Sequence, residues 1–309
     1  MIEVLDVQSR ATIQDLGRFG LRRFGIGHCG AMDKLALRAG NILLGNAENV
    51  PAIEVPLGGI TLQFQQDMNF CVTGAFYEMT LDDKPVFAYW RYQARAGQIL
   101  KMTRAKIGMY GYLCVQGGFV LPQALNSCST DLRAKIGGIE GRCLQAGDRL
   151  QTANDHILRS EIGIAPIPLS DVIRALPSSE YQAFKRKSQY YWWRNEWTLQ
   201  SNSDRMGYRF QGQTLELKQP LEMLSHAIQF GTVQVPPNGQ PIILMADAQT
   251  TGGYPKIANV IDADLGALAQ VRLGSTIKFE AVSLQEAAKL RRKNEIYLDQ
   301  IRRIVDEKN

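Results

Sequence analysis

Four short patterns occur twice along this chain, in the same order, and they limit what it can fold into. Arg18-Phe19-Gly20-Leu21-Arg22 and Arg205-Met206-Gly207-Tyr208-Arg209 share R-x-G-x-R. Val55-Pro56-Leu57-Gly58-Gly59 and Val235-Pro236-Pro237-Asn238-Gly239 share V-P-x-x-G. Thr73-Gly74 answers to Thr251-Gly252, and Gly97-Gln98-Ile99-Leu100-Lys101 to Gly274-Ser275-Thr276-Ile277-Lys278. Each match alone is cheap, but a shared order at slowly drifting spacing is the signature of two related halves. The first half is expected over about 1–105 and the second over about 170–309. Residues 106–169, with GYLCVQGG, STDLRAKIGGIEGR and AGDRL, read as a bridging or inserted segment.

The local pattern inside each half is mainly β with some helix. GGITLQF (58–64), MNFCVTG (68–74), MYGYLCVQGG (109–118), GTVQVP (231–236), QPIILMAD (240–247) and STIKFEAV (275–282) are short β-rich runs bounded by Gly, Pro, Asn or Asp. Many short strands with glycine corners predict sandwiches or barrels. Helices are expected over 32–45, with Gly45 as a stop, and over 178–193, after Pro177. A third is expected over 283–306, where Ser283-x-x-Glu286 forms a capping box ahead of an apolar stripe.

Composition removes several classes of function. At 309 residues, with 45% hydrophobic and 21% charged residues, the chain has globular values and room for two cores. No apolar run approaches the roughly 20 residues of a membrane helix, and MIEVLDVQSRATIQD is no signal peptide. Five cysteines without CxxC spacing suggest neither a disulfide frame nor a zinc site, so a reducing, cytoplasmic setting is expected. Three histidines without HxxxH or HExxH spacing make a metal site unexpected. The net charge of +5 reads as an ordinary solvated surface, and no nucleic-acid or membrane partner is expected. YYWWRNEW (190–197) pairs aromatics with Arg194, a pattern equally suited to helix packing or an interface.

The densest chemistry follows the strand-like run QPIIL, in MADAQTTGGYP. Gly252 and Gly253 would let the backbone reach positive φ and let a ligand approach closely. Their N–H groups, with Thr250, Thr251 and Gln249, could hold an anion, and Asn238 and Tyr254 stand nearby in sequence. Asp247 could take a proton or bind an ammonium or amide N–H. A tight turn whose threonines satisfy the backbone explains an isolated TTGG equally well. Arg205 and Arg209 could grip a carboxylate or phosphate, or pair with structural acids, and the same two readings hold for Arg18 and Arg22, with more weight on structure. In GIGHCGAMD (25–33), His28 is a candidate acid/base or binding group, whereas Cys29 reads as a small buried residue. Ser129 and Thr130 could line a phosphate or substrate loop, although Ser129–Asp131 also reads as a helix cap. Neither GxxxxGK[ST] nor GxGxxG after a strand is present, so no nucleotide fingerprint is found.

NGQPIILMADAQTTGGYPKIA, SDRMGYRFQG, GIGHCGAMDKLALRAGNILLGN, AIEVPLGG and NSCSTDLRAKIGGIEGR together resemble the biotin-dependent carboxyltransferase family. That family is also called the allophanate hydrolase subunit 2 or KipA family, and the likeness spans nearly the whole chain. It implies two tandem cyclophilin-like β-barrel domains with a C-terminal helix. Its 5-oxoprolinase branch implies one component of an enzyme that converts 5-oxoproline to L-glutamate with ATP hydrolysis. ATP, with Mg, follows from that, as do the B and A subunits of 5-oxoprolinase as partners. In this frame Asp247, Arg205 and Arg209 are the expected catalytic groups. Asn238, Gln249, Thr250, Thr251, Gly252, Gly253, Tyr254, His28, Ser129 and Thr130 would bind substrate or nucleotide. Two other activities known in the family are carboxyl transfer to urea or a related amide and regulatory binding of a KipI-like partner. Many relatives carry Ser at the position of Cys29 and an acid at that of His226. No AMKM-like biotin hairpin occurs, the nearest string being Leu100-Lys101-Met102-Thr103, so any biotin would arrive on a partner.

Overall fold

The computed structural model describes residues 1–153, 157–158 and 161–308, so His156 lies outside the described residues. The chain is mostly β, with four α-helices among the described residues. It divides into two compact units. One holds Met1–Arg18, Cys29–Pro168 and Glu295–Asn309, and the other holds Phe19–His28 and Leu169–Asn294.

The first unit is built on a ten-stranded sheet whose pairs are all antiparallel. Two long strands organise it, Met68–Leu81 and Ile99–Val115. Sequence periodicity finds only one end of each, because bulges between Gly74 and Met79 break the alternation. The strand Ile99–Val115 pairs with Ile60–Phe64 along one end and Ala52–Pro56 along the other. It also runs through residue 105, so 106–115 lie in the same sheet as the first half.

Helix α1 (Lys34–Leu43) lies against these two strands. Its N-terminus is capped by Asp33, whose side chain accepts from the Ala36 N–H at 3.0 Å. Thr73 Oγ1 donates to the Ala36 carbonyl at 2.7 Å. A Cβ on Gly40 would stand 2.8 Å from both Thr73 Oγ1 and Cys114 Sγ, so glycine sets the closeness of helix and sheet. The packing explains why Met68–Ala75 is buried on both faces, while residues beyond it alternate.

The second unit is a closed barrel of seven strands. Around it run Val172–Pro177, Lys256–Val260, Thr232–Gln234, Ile242–Leu244, Gly207–Gln211, Glu196–Leu199 and Thr276–Ala281. The pair that closes it, Val172–Pro177 with Thr276–Ala281, is parallel. Of the two expected barrels, this one closes on itself, whereas the first unit is the ten-stranded sheet. Inward residues such as Ile173, Trp197, Tyr208, Phe210, Val233, Ile243 and Phe279 are buried.

The helix expected over 178–193 is split. A 3-10 turn, Tyr181–Ala183, precedes helix α2 (Arg186–Arg194). Between them the chain is drawn out by pairing: Phe184 bridges Leu217, and the Lys185 N–H donates to the Glu216 carbonyl at 2.9 Å. Trp192 of α2 stacks on Phe279 with ring centroids 4.1 Å apart. Residues Leu265–Ala269 form the short helix α3. Helix α4 (Leu284–Lys308) starts with the expected Ser283 cap, which accepts from the Glu286 N–H at 3.1 Å. It contributes Leu290 and Asn294 to the second unit, and Leu298, Ile301 and Val305 to the first. No helix among the described residues is long and apolar enough to cross a membrane.

Candidate functional site

The segment 245–256 leaves the barrel strand Ile242–Leu244 and returns as Lys256–Val260, both in the second unit. Three sets of backbone bonds hold it. The Asp247 N–H donates to the Arg205 carbonyl at 2.9 Å. Thr251–Gly252 pairs antiparallel with His226–Ala227. The Val235 N–H donates to the Pro255 carbonyl at 2.9 Å. Several of the small polar groups seen in the sequence therefore lie on a braced loop at one end of the barrel.

The glycines act here by size rather than handedness. Neither Gly252 nor Gly253 has a positive φ, contrary to the sequence expectation, because Gly252 is extended in a strand pair. A Cβ on Gly252 would stand 2.5 Å from Gln234 Nε2 and 2.9 Å from Ile228 Cδ1. One on Gly253 would stand 3.3 Å from the Met223 carbonyl oxygen. Thr250 is nearly buried, and its carbonyl accepts from the Ile228 N–H at 3.2 Å. Gln249, Thr251 and Tyr254 are exposed.

The expected cationic groups are largely committed to the chain. Arg205 Nε and Nη2 donate to Asp247 Oδ2 and Oδ1 at 2.8 and 2.7 Å, and each side chain is 13% exposed. The acid read as a proton acceptor is thus the counter-ion of the arginine read as its neighbour. Their fork also ties the turn before Gly207–Gln211 to the loop. Arg209 turns its Nη1 to the carbonyls of Asn202 and Gly207, at 3.1 and 3.4 Å. Asn238 is exposed and accepts from the Gln240 N–H at 3.1 Å. The ring of His28 is half-buried and packs edge-on to Phe19, with centroids 4.4 Å apart.

Ser129 and Thr130 belong to the other unit and are buried there. The Ser129 and Ser127 hydroxyls donate to Asp15 Oδ1 at 2.5 and 2.7 Å, and the Cys128 N–H donates to Asp15 Oδ2 at 2.6 Å. The Ser129 carbonyl accepts from Arg18 Nη2 at 2.5 Å. No helix follows, so the cap expected at Ser129–Asp131 is replaced by a turn. There Asp131 Oδ1 accepts from the Arg133 and Ala134 N–H groups at 3.0 and 2.9 Å. Short hydroxyl side chains signal a cap or a ligand loop equally well in sequence, and only burial separates them.

Lys256 and Gln234, which sequence reasoning did not place in a site, stand beside the loop, as does Arg22, which it weighed mainly as structural. Lys256, 7% exposed, donates from Nζ to Glu180 Oε2 at 2.7 Å and also meets His226 Nε2. His226 Nδ1 lies 3.0 Å from the Leu224 carbonyl, which fits a proton on Nδ1 and an acceptor at Nε2. Burial pushes the Glu180 carboxyl up, but hydrogen bonds from Lys256 and Ser179 outweigh it and hold the group below its ordinary value. Gln234 is 3% exposed, and its Nε2, facing Gly252, has no hydrogen-bond partner among the described residues. Arg22, from the 3-10 turn Arg22–Phe24, reaches the Ile228 carbonyl and, at 3.3 Å, that of Gln249. Little in the sequence marks these positions as neighbours, since barrel pairing alone sets Gln234 opposite Lys256.

A separate groove of about 600 Å³ lies over α2, lined by Tyr181, Arg186, Tyr190, Trp193, Arg194 and Glu280. It holds the aromatic run noted in the sequence. Among the described residues, no group of three or more His, Cys, Asp or Glu side chains is placed to hold a metal ion.

Comparison with known proteins gives this geometry a family. Residues 24–281 match the carboxyltransferase domain, subdomain A and B. The chain is 96% identical over 309 residues to the C subunit of 5-oxoprolinase from Haemophilus influenzae (strain Rd), covering all of both chains. It is 48% identical over 302 residues to the C subunit of 5-oxoprolinase from Escherichia coli K12, covering 97% of each. Among solved structures, the urea amidolyase of K. lactis superposes with a TM-score of 0.90 at 25% identity, over 97% of this chain and 20% of that one. The chain belongs to the carboxyltransferase-domain family, subdomain A and B, and within it to the family of the 5-oxoprolinase C subunits.

Proposed function

We propose that the chain is one subunit of an ATP-dependent 5-oxoprolinase that converts 5-oxoproline to L-glutamate together with the B and A subunits. The full-length identity of 96% with a 5-oxoprolinase C subunit carries this reading. The chemistry suits the loop at the barrel end. A lactam carbonyl is a poor electrophile, and transfer of the ATP γ-phosphoryl group to its oxygen activates the ring carbon. One water adds there and the ring C–N bond breaks, the nitrogen leaving as the amine. A second water releases phosphate, giving glutamate, ADP and inorganic phosphate. Charge developing on oxygen needs nearby donors and cations. The Thr250–Gly253 backbone, the Gln234 amide and Lys256 are the groups assigned to that task. Arg205 and Asp247, locked to each other, position the loop. Magnesium would enter with ATP, and no covalent biotin is required on this chain.

The likeness to urea amidolyase supports a second reading, carboxyl transfer to urea or a related amide with biotin supplied by a partner. The deciding assay mixes this chain with the A and B subunits, omits each in turn, and follows ATP hydrolysis with and without 5-oxoproline and avidin. Turnover that requires 5-oxoproline and this chain and ignores avidin is expected. Avidin-sensitive turnover with urea and bicarbonate, and none with 5-oxoproline, would move the assignment to carboxyl transfer.

A further inference from the structure

Charge balance at the barrel end singles out one arginine. Of the half-buried arginines elsewhere in the second unit, Arg205 has Asp247 and Arg174 has Asp264 at 2.6 and 2.8 Å, while Arg209 turns to two carbonyls of its own turn, Asn202 and Gly207. Arg22 has no carboxylate partner among the described residues. Its Nη2 is shared between two neutral carbonyls, Ile228 and Gln249, which leaves Nε and Nη1 unspent. Burial disfavours its charged form and pushes its pKa down. A guanidinium taken partly out of water, with no counter-ion, is costly unless a ligand supplies the anion. Arg18 in the other unit also has no carboxylate partner among the described residues, but it is 1% exposed and sealed against the carbonyls of Ala124 and Ser129. Arg22, by contrast, grips the exposed Gln249 at the edge of the loop.

A second observation points to the same place. Ile228 joins Arg22 to Gly252: its carbonyl accepts from Arg22, and its Cδ1 abuts Gly252. Gln234 Nε2, buried and without a hydrogen-bond partner among the described residues, abuts Gly252 as well. Ile228 therefore joins an unfilled cation to the glycine that an unfilled amide donor abuts. Lys256 and Glu180 beside the loop balance each other, as do Arg205 and Asp247.

We propose that Arg22 is the carboxylate-binding residue of this site, with the Gln234 amide as a second donor to the same small ligand. The inference rests on the 5-oxoprolinase reading, since 5-oxoproline carries a carboxylate beside its lactam. A guanidinium fork matches a carboxylate through two parallel hydrogen bonds, whereas a lysine matches it as a point charge.

The test compares 5-oxoproline with 2-pyrrolidinone, the same lactam without the carboxylate, using the complete complex carrying wild-type chain, Arg22→Lys or Arg22→Met. Arg22→Met should lower the selectivity for 5-oxoproline about 100-fold, with Arg22→Lys between. An equal loss for both lactams, or a rise only in the KM for ATP, would overturn the assignment. Thermal unfolding of the isolated protein with acetate, 5-oxoproline or inorganic phosphate gives a readout that does not need turnover. Stabilisation of wild type by both carboxylates, absent in Arg22→Met, supports the site even if the complex fails to open 5-oxoproline. Loss of stabilisation by phosphate alone would give Arg22 to a nucleotide instead and overturn the proposal.

Discussion

At the scale of single residues, the second unit turns on who neutralises whom. Arg205 and Asp247 form a mostly buried fork, so removing one charge takes away the other's bidentate counter-ion. Asp247→Asn should cost about 3 kcal/mol in urea unfolding, and Asp247→Asn combined with Arg205→Met should recover part of it. An Asp247→Asn protein of undiminished stability but without activity would instead make Asp247 a group that acts on substrate. The Glu180–Lys256 pair predicts a pH effect. The folded-state carboxyl of Glu180 lies below its ordinary value of 4.5. Its contribution is therefore complete above that value and is lost as pH falls through the folded-state value. The melting temperature should drop on acidification from pH 5 to about pH 3, and Glu180→Gln should flatten that part of the profile. A profile unchanged by the substitution would show that other carboxylates govern acid unfolding.

At the scale of elements, closeness is set by missing side chains. Gly40 lets α1 sit on the sheet, and Gly252 lets the loop strand lie on Gln234 and Ile228. Gly40→Ala should destabilise by about 1–3 kcal/mol, because both contacted atoms are held by packed strands. Gly252→Ala pushes against the end of a glutamine side chain, so stability should change less while binding at the loop suffers. Denaturant midpoints alongside substrate KM would separate the two, and equal stability losses would contradict the distinction. The repeats are also informative here. Gly97 and Gly274 both have positive φ, at 89° and 82°, and each stands two residues before a strand. That match reflects shared local geometry. Thr73 and Thr251 do not behave alike: one is buried in a long strand under α1, the other exposed on a two-residue strand.

At the scale of the whole molecule, α4 ties its C-terminal half to a unit whose other residues come mostly from the start of the chain. Leu298, Ile301 and Val305 are buried there, and Arg38 grips Glu295 through two bonds of 2.7 and 2.8 Å. Burying three such apolar side chains is worth roughly 5 kcal/mol, a large share of a typical domain stability of about 5–15 kcal/mol. Truncation after Asn294 should therefore abolish cooperative unfolding of the first unit, read by calorimetry as the loss of a transition. Persistence of both transitions would show that the helix is dispensable.

The sequence by itself determined the β-rich class, the C-terminal helix with its Ser283 cap, and the family, because these depend on periodicity, capping and contiguous motifs such as QTTGGYP. It also located the loop, since small polar residues directly after an apolar run are a local signal. Only the tertiary structure decided which charges meet. Asp247 and Arg205, Glu180 and Lys256, Arg22 and Gln249 are each far apart in the chain, and an arginine near a candidate site reads the same whether or not a carboxylate waits across the barrel. The same holds for Ser129, whose hydroxyl suits a ligand loop as well as the buried Asp15 it serves, and for Thr130, which is buried beside it. Local sequence fixes which groups a residue carries; burial and the partner brought by strand pairing fix what those groups are free to do.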